Sequence, residues 1–465
     1  MGPVDRLRSG GVRRRVAAAH VAWALVVTAS GCGSRRAESD LLAAASTRTG
    51  AAAHAAAPGA TSAGAGSPAS PGSAPSGSGT SPLVAGAARG VDTGPSPSAG
   101  ATGSLRPIKI GNVGIYSGIA GASTRNGLGA IRAWEQTVNA HGGVAGHPVQ
   151  VVVADDGGDP AQSAAARKRL VEEEHVVAFV GNMDFLTGGN FVAYHTQTRV
   201  PVVGGVGPSW YYDSPFYFPQ VTFTPPLFTA ALAAIADQVP GATKLATIVC
   251  VENRASCTDA GKAWAAEAPG FGQQIVYQAQ VSTTQPDFTG ECSAARSAGA
   301  TVLLLALDAS GTQRLAQSCS RQGYHPRLAG LLGSQSLADG PLLDGLMLPS
   351  PSFPWTSKSD PPRQAFATAM ATYAPNAELD LLATQVWTSA VLFARAVELA
   401  GPKDVITNED VLRGLWSMHG ETLGGLTYPL TFTQGQPAAK KVCYFLMVIA
   451  GGKWTTPNGD TIRCR

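Results

Sequence analysis

Charge is scarce in this sequence. Only 14% of its 465 residues are Asp, Glu, Lys or Arg, and 34 basic residues against 31 acidic ones leave a formal charge of +3. That excludes a nucleic-acid binder driven by bulk charge. Long apolar runs are lacking as well. Beyond the N-terminus the longest is TVLLLAL at 301–307, far short of the ~20 residues a helix needs to cross a bilayer. No membrane-spanning domain is expected. Catalytic signatures are missing too: there is no G-x-S-x-G elbow, no H-E-x-x-H, no phosphate loop and no G-x-G-x-x-G after a strand. No enzyme, cofactor or metal site is expected. The run DDGGDP at 155–160 has the look of a calcium loop but lacks the later bidentate acid, so helix capping explains it better. His175, next to Glu172, Glu173 and Glu174, reads as a solvated helix end.

What basic excess exists sits at the N-terminus. Arg6, Arg8, Arg13, Arg14 and Arg15 precede an apolar stretch from Val16 to Ala29, long enough for the core of an export signal and short for a span. The stretch ends Ala29-Ser30-Gly31-Cys32, which resembles the lipobox of bacterial lipoproteins, although Ala29 stands where leucine is usual. The resemblance implies a lipid on Cys32 and a chain tethered to the outer face of the cytoplasmic membrane, at the cell surface or in a periplasm. From about 37 to 106 the composition collapses to Ala, Gly, Ser, Pro and Thr. Such a segment buries too little to offset its ordering entropy and is expected to be a disordered tether.

Seven cysteines occur. Cys32 aside, the six at 250, 257, 292, 319, 443 and 464 form an even set in an exported chain, which suggests three bridges. Six cysteines allow 15 connectivities. Pairing neighbours would join Cys250 to Cys257, Cys292 to Cys319 and Cys443 to Cys464; free buried thiols are the alternative. No two lie at the spacing of a tetrahedral zinc site.

From Ile108 on, short Val-rich runs alternate with helical patterns. IKIGNVG (108–114), VQVVVA (149–154) and VVAFVG (176–181) read as buried strands. Leu128, Ile131, Trp134 and Val138 recur at helical spacing before Gly142 and Gly143. Asp159 followed by Pro160 predicts an N-cap and first helical residue, with the helix running to about His175. After an aromatic and proline-rich stretch from Pro208 to Pro226 the rhythm restarts, with strands at 245–251, 274–280, 301–307 and 328–332. Helices are expected at 381–401 and 408–418, then extended segments around Gly435. Buried strands alternating with helices predict an α/β fold with two mainly parallel sheets.

These residues are similar to the type I periplasmic-binding-protein family, and within it to the branched-chain amino-acid (Leu/Ile/Val-type) binding proteins of ABC importers. The resemblance is carried by YSG after the first strand, NAHGGVAGHPVQVVVADDGGDP (139–160), VVAFVGN (176–182), SPFYFPQVTFTPP (214–226) and the closing GGLTYPLTF and GGKW. It implies two α/β lobes hinged by crossovers, closing on a small-molecule solute that is handed to importer permease subunits. It also implies a monomer that catalyses nothing. The expected division is a signal at 1–31, the tether at 32–106, lobe 1 at 107–225 and about 350–420, and lobe 2 with the hinge at 226–349 and about 421–465.

By that resemblance the ligand contacts come from the strand-end loops. Tyr116 and Ser117 follow the first strand and Ser123 opens the next helix, where turn and capping chemistry is the competing reading. Family members that bind amino acids place a carboxylate-holding serine after the third strand. Phe185 stands there instead, flanked by Asp184 and Thr187. The next loop reads GGVGPSW and brings Trp210 and Tyr211. In the second lobe, Ser334 and Gln335 occupy the place of the glutamate that pairs with the ligand ammonium. Asp308 offers another anion, or simply a helix cap. Losing both partners would strand the charges of an α-amino acid in a dry cleft. The expected solute is therefore not a free branched-chain amino acid but a flat or apolar molecule, unless these aromatics are lobe core. Two other functions remain open: a sensor that passes occupancy to a membrane signalling partner, and a surface hydrolase.

Overall fold

Strand β1 (Ile108–Gly114) is buried on both faces, apart from partly exposed Lys109, because every neighbour in its layer is a parallel strand or a helix. The computed structural model describes residues 105–118, 121–253 and 257–465. The expectations for the signal, for Cys32 and for the tether up to residue 104 fall outside them.

The first sheet adds β2 (Val149–Asp155), β3 (Phe179–Asn182), β4 (Val202–Gly205) and β5 (Tyr217–Phe218), in the order β2-β1-β3-β4-β5. All four pairings are parallel. Helices α1 (Gly121–Ala140), α2 (Pro160–Glu172) and α3 (Val192–Thr198) supply the crossovers. Asp159 caps α2 as the sequence predicts, its Oδ1 accepting from the amides of Ala161 and Gln162 at 2.8 Å each. The helix stops three residues before the expected His175 because that residue takes φ of 56°, a left-handed reversal. Regular pairing of β3 correspondingly begins at Phe179 rather than Val176.

The second sheet contains β6 (Lys244–Cys250), β7 (Gln274–Val281), β8 (Val302–Ala306), β9 (Arg327–Gly330) and β10 (Met347–Ser350), with helices α4 (Pro226–Gln238), α5 (Asp259–Glu267), α6 (Thr289–Ser297) and α7 (Ala309–Arg321). The chain then runs through α8 (Pro361–Tyr373), α9 (Leu381–Leu399) and α10 (Asn408–Trp416), and through a small antiparallel pair, β11 (His419–Glu421) with β12 (Leu430–Thr431). It re-enters the second sheet as β13 (Cys443–Ala450), followed by β14 (Lys453–Thr455) and β15 (Arg463–Cys464). The order is β14-β13-β10-β9-β8-β6-β7, with β15 on β13. The five strands β6 to β10 are mutually parallel, while β13 runs antiparallel to β10.

Helix α9 belongs spatially to the first sheet, where it packs on β3, β4 and α1. Two glycines permit that approach. A Cβ at Gly181 would lie 2.9 Å from Val386, and one at Gly204 would lie 2.3 Å from the hydroxyl of Ser389. The chain therefore passes between the two sheets three times: after β5, after β10, and before β13. Gln220, in the first passage, donates to the carbonyls of Gly205 and Gln385 at 2.9 Å each and accepts from Thr427 at 2.6 Å through its own carbonyl. Gln220 thereby bonds the first passage to helix α9 and to the segment between β11 and β12. The three disulfides join sequence neighbours, Cys250–Cys257, Cys292–Cys319 and Cys443–Cys464.

Candidate functional site

In open α/β sheets, solutes meet the carboxyl ends of the strands, where loop amides and helix N-termini converge. One hydrogen-bonded junction brings the carboxyl edges of both sheets together here. Asn126, in the second turn of α1, donates to Oδ2 of Asp380 at 2.8 Å and accepts from the Glu378 amide at 3.1 Å. Asp380 also caps α9 through the Ala383 amide at 2.7 Å. From the second sheet, the loop after β9 joins in. The Gln335 amide donates to the Leu379 carbonyl at 2.9 Å, and the Ser336 amide donates to Glu378 at 2.6 Å. Burial pushes the Asp380 carboxyl up to about 7 against the lowering effect of the Asn126 hydrogen bond, and neighbouring Glu378 raises it further.

The loop after β1 carries Tyr116 and Ser117. Tyr116 is half-buried, with its ring folded over Gly114, where a Cβ would lie 2.5 Å from a ring carbon. Its hydroxyl donates to Asn112 Oδ1 and its amide donates to Asp155 at 3.0 Å. Ser117 and Ser123 are exposed at the same edge.

The loop after β3 divides into a buried set and an exposed one. Asp184 is buried and ion-paired with Arg167. Arg167 reaches Ser163 at 2.6 Å and His195 at 3.4 Å, and its guanidinium lies 4.4 Å from the centre of the Phe191 ring. Burial raises the Asp184 carboxyl against the opposing pull of Arg167, and burial with the Arg167 charge holds His195 well below the usual imidazole range. Thr187 is buried and donates to Asp156 at 2.7 Å. Tyr211 is fully buried and donates to the Gly204 carbonyl at 2.8 Å. In this conformation Asp184, Thr187 and Tyr211 have no surface to offer a solute; their polar atoms serve the lobe interior. Phe185 is half-buried and Leu186 exposed. Trp210 is half-buried against Gly189, where a Cβ would meet its ring at 2.9 Å.

On the second sheet, Asp308 acts as an N-cap, as its competing reading held: Oδ1 accepts from the Gly311 amide at 3.0 Å and Oδ2 from the Ser310 hydroxyl at 2.8 Å. Gln335 Oε1 accepts from Trp355 Nε1 at 3.2 Å, and the Ser334 carbonyl accepts from Trp454 Nε1 at 2.8 Å. Gln335 stands at the expected loop, turned toward indole rather than free. The sequence reading missed Arg167, Asn126 and Asp380. A signal for Arg167 existed, since it shares one face of α2 with Ser163 and Leu170 in an alanine-rich helix. Among the described residues no cluster of three or more His, Cys, Asp or Glu could hold a metal, and no helix is long and apolar enough to cross a membrane.

A family model described as periplasmic binding protein matches residues 107–453, more than half of the chain. The chain belongs to the periplasmic-binding-protein family. That family consists of solute-binding proteins of ABC transporters rather than enzymes, and it works outside the cytoplasm. Solved structures share the two-lobe type I fold of the family. One is a branched-chain amino acid ABC transporter from Thermus thermophilus with bound valine, at 19% identity and a TM-score of 0.65, covering 76% of this chain and 96% of that one. A possible leucine/isoleucine/valine-binding protein from Rhodopirellula baltica gives 18% identity and a TM-score of 0.63 with the same coverage. A leucine-binding protein from Thermotoga maritima gives 17% and 0.59, covering 75% of this chain and 97% of that one. No curated protein matches the chain. In this periplasmic binding protein the arrangement suits non-covalent capture: two strand-end walls, a bonded junction between them, and carboxylates engaged by the protein itself.

Proposed function

We propose that this chain is the solute-capturing component of an ABC importer. It takes up one small molecule between lobe 1 (107–225 and about 350–420) and lobe 2 (226–349 and about 421–465) and passes it to the permease subunits. The supporting observation is the junction at Asn126, Asp380 and Ser336, which sets the carboxyl edges of the parallel strands of the two sheets beside one another. Closure about such a junction would shut water out of the space between the walls. The protein acts as a monomer, held to the outer face of the membrane by a lipid on Cys32 and a tether over 32–106.

The solute is not a free branched-chain amino acid. Ser334 and Gln335 are neutral where an ammonium needs an anion, and a neutral amide forgoes a charge-assisted bond of ~1.5–3 kcal/mol. Half-buried Phe185 and Trp210 support a flat or apolar molecule. Native mass spectrometry of the protein purified from its producing cell tests the proposal. One small molecule per chain, released unchanged on denaturation, is expected; a chain that carries no small molecule and turns over added esters or glycosides would contradict it.

A further inference from the structure

A cavity of about 360 Å³ opens beside α9. Its walls come from three elements: the start of α8 at Pro362 and Ala365, the stretch of α9 at 387–398, and the turn at 423–426. Direct contacts hold these walls to one another. A Cβ at Gly424, whose φ is 68°, would lie 2.8 Å from Pro362, and the Arg363 guanidinium donates to the Gly425 carbonyl at 2.7 Å. Arg395 donates to Glu421 at 2.8 Å and to Glu398 at 3.2 Å. The cavity is separate from the junction between the sheets. Counted from the cap at Asp380, Arg395 and Glu398 stand roughly 22 and 27 Å along α9 at a rise of about 1.5 Å per residue.

Two polar features of the lining are left unfinished by the protein. Trp387 lines the cavity and is only 3% exposed. Its indole N–H meets no acceptor among the described residues, yet the nitrogen is not sealed from solvent. A buried tryptophan usually finds a partner for that donor. The second feature is charge. Arg395, Glu398 and Glu421 are the charged side chains of the lining, which leaves one negative charge in excess. Glu421 has both oxygens engaged, by Arg395 and by the Leu423 amide at 2.8 Å, whereas Glu398 uses only Oε2. The rest of the lining is apolar, with Val391, Leu423 and Leu426 its largest members.

We propose that this cavity is a second small-molecule site, distinct from the cleft between the lobes, and that it takes compact amines: an apolar body, a protonated nitrogen facing Glu398, and a hydrogen-bond acceptor for the Trp387 N–H. The volume suits a small ligand. An ammonium there makes a charge-assisted bond to the free Glu398 oxygen, while the apolar body covers Val391, Leu423 and Leu426. Occupancy braces the turn at 423–426, which runs directly into Thr427 and its hydrogen bond to Gln220 in the first passage. The site does not depend on which solute the cleft takes.

Tyramine carries all three features. Phenethylamine lacks the acceptor, and 4-hydroxyphenylacetate exchanges the ammonium for a carboxylate. Isothermal titration calorimetry of the purified chain should show tyramine binding at one per chain, phenethylamine more weakly and 4-hydroxyphenylacetate not at all. Glu398→Gln and Trp387→Phe should each weaken tyramine about tenfold, the second to the level of phenethylamine. Ala365→Trp, which fills the cavity from an exposed position, should abolish binding. Thermal melts check that the variants fold; Glu398 and Ala365 are exposed, so those two carry the test if Trp387→Phe does not fold. Absence of tyramine binding, binding that survives Glu398→Gln and Ala365→Trp, or phenethylamine or the carboxylate binding as well as tyramine would overturn the proposal and leave the cleft reading standing.

Discussion

Asn126 Nδ2 lies 2.8 Å from Asp380 Oδ2 across 254 residues of sequence, and this contact ties the first helix of one lobe to the start of the helix that returns from the other. The same asparagine accepts from the Glu378 amide, whose carboxylate receives the Ser336 amide. Replacing Asn126 with Ala leaves a buried carboxylate oxygen and a backbone amide without partners, at a cost of about 1–3 kcal/mol each. Hydrogen exchange should therefore speed up at 333–337 and 377–383 more than elsewhere, while the β8 core stays protected. Uniform acceleration throughout would show that the junction has no local role.

Asp380 also gives the fold a pH dependence of known sign. Its carboxyl is raised to about 7, above an unfolded value of ~3.9. A raised acid favours the folded state fully below the unfolded value, and that contribution is lost as pH climbs through the folded one. Between pH ~4 and ~8 this group alone lowers Tm. Asp380→Asn, which keeps a side-chain acceptor for the Ala383 amide, should flatten that part of the Tm profile. An unchanged profile would mean that Asp380 does not titrate there.

Much of the fold was legible in the residues because local chemistry and burial agreed. The Val-rich strands of the first sheet and the Asp159-Pro160 helix start are examples, with errors of a few residues where His175 turns left-handed. The strands at Val202–Gly205 and Met347–Ser350 were not legible. Gly204 and Gly205 dilute one pattern and Pro349 interrupts the other, and tertiary pairing decides both. The site was legible only as loops. Which side chains turn inward depends on partners distant in sequence: Asp184 on Arg167 from the preceding helix, and Gln335 on Trp355.

The buried pair Arg167–Asp184 should behave asymmetrically. Arg167→Met leaves the Asp184 carboxylate dry and unpaired and should cost ~3–5 kcal/mol in urea unfolding. Adding Asp184→Leu should recover much of that loss, because the second change removes the stranded charge. A double variant no more stable than the single one would show that the arginine acts through packing on Phe191 instead.

Among the three disulfides, Cys292–Cys319 closes the longest segment, with a sequence separation of 27 against 21 and 7. Loop-closure entropy makes it the most stabilising of the three, at roughly 3–4 kcal/mol. The Cys292→Ala/Cys319→Ala variant should lose more Tm than the Cys250→Ala/Cys257→Ala variant. The reverse ranking would show that strain or local packing outweighs chain entropy.

The claim beneath all of this is that two lobes close on a solute that neither alters. Small-angle X-ray scattering of the purified chain, with and without a saturating amount of the molecule recovered by native mass spectrometry, tests it most directly. A smaller radius of gyration in the saturated protein is the predicted result. An unchanged radius at proven saturation would contradict the account.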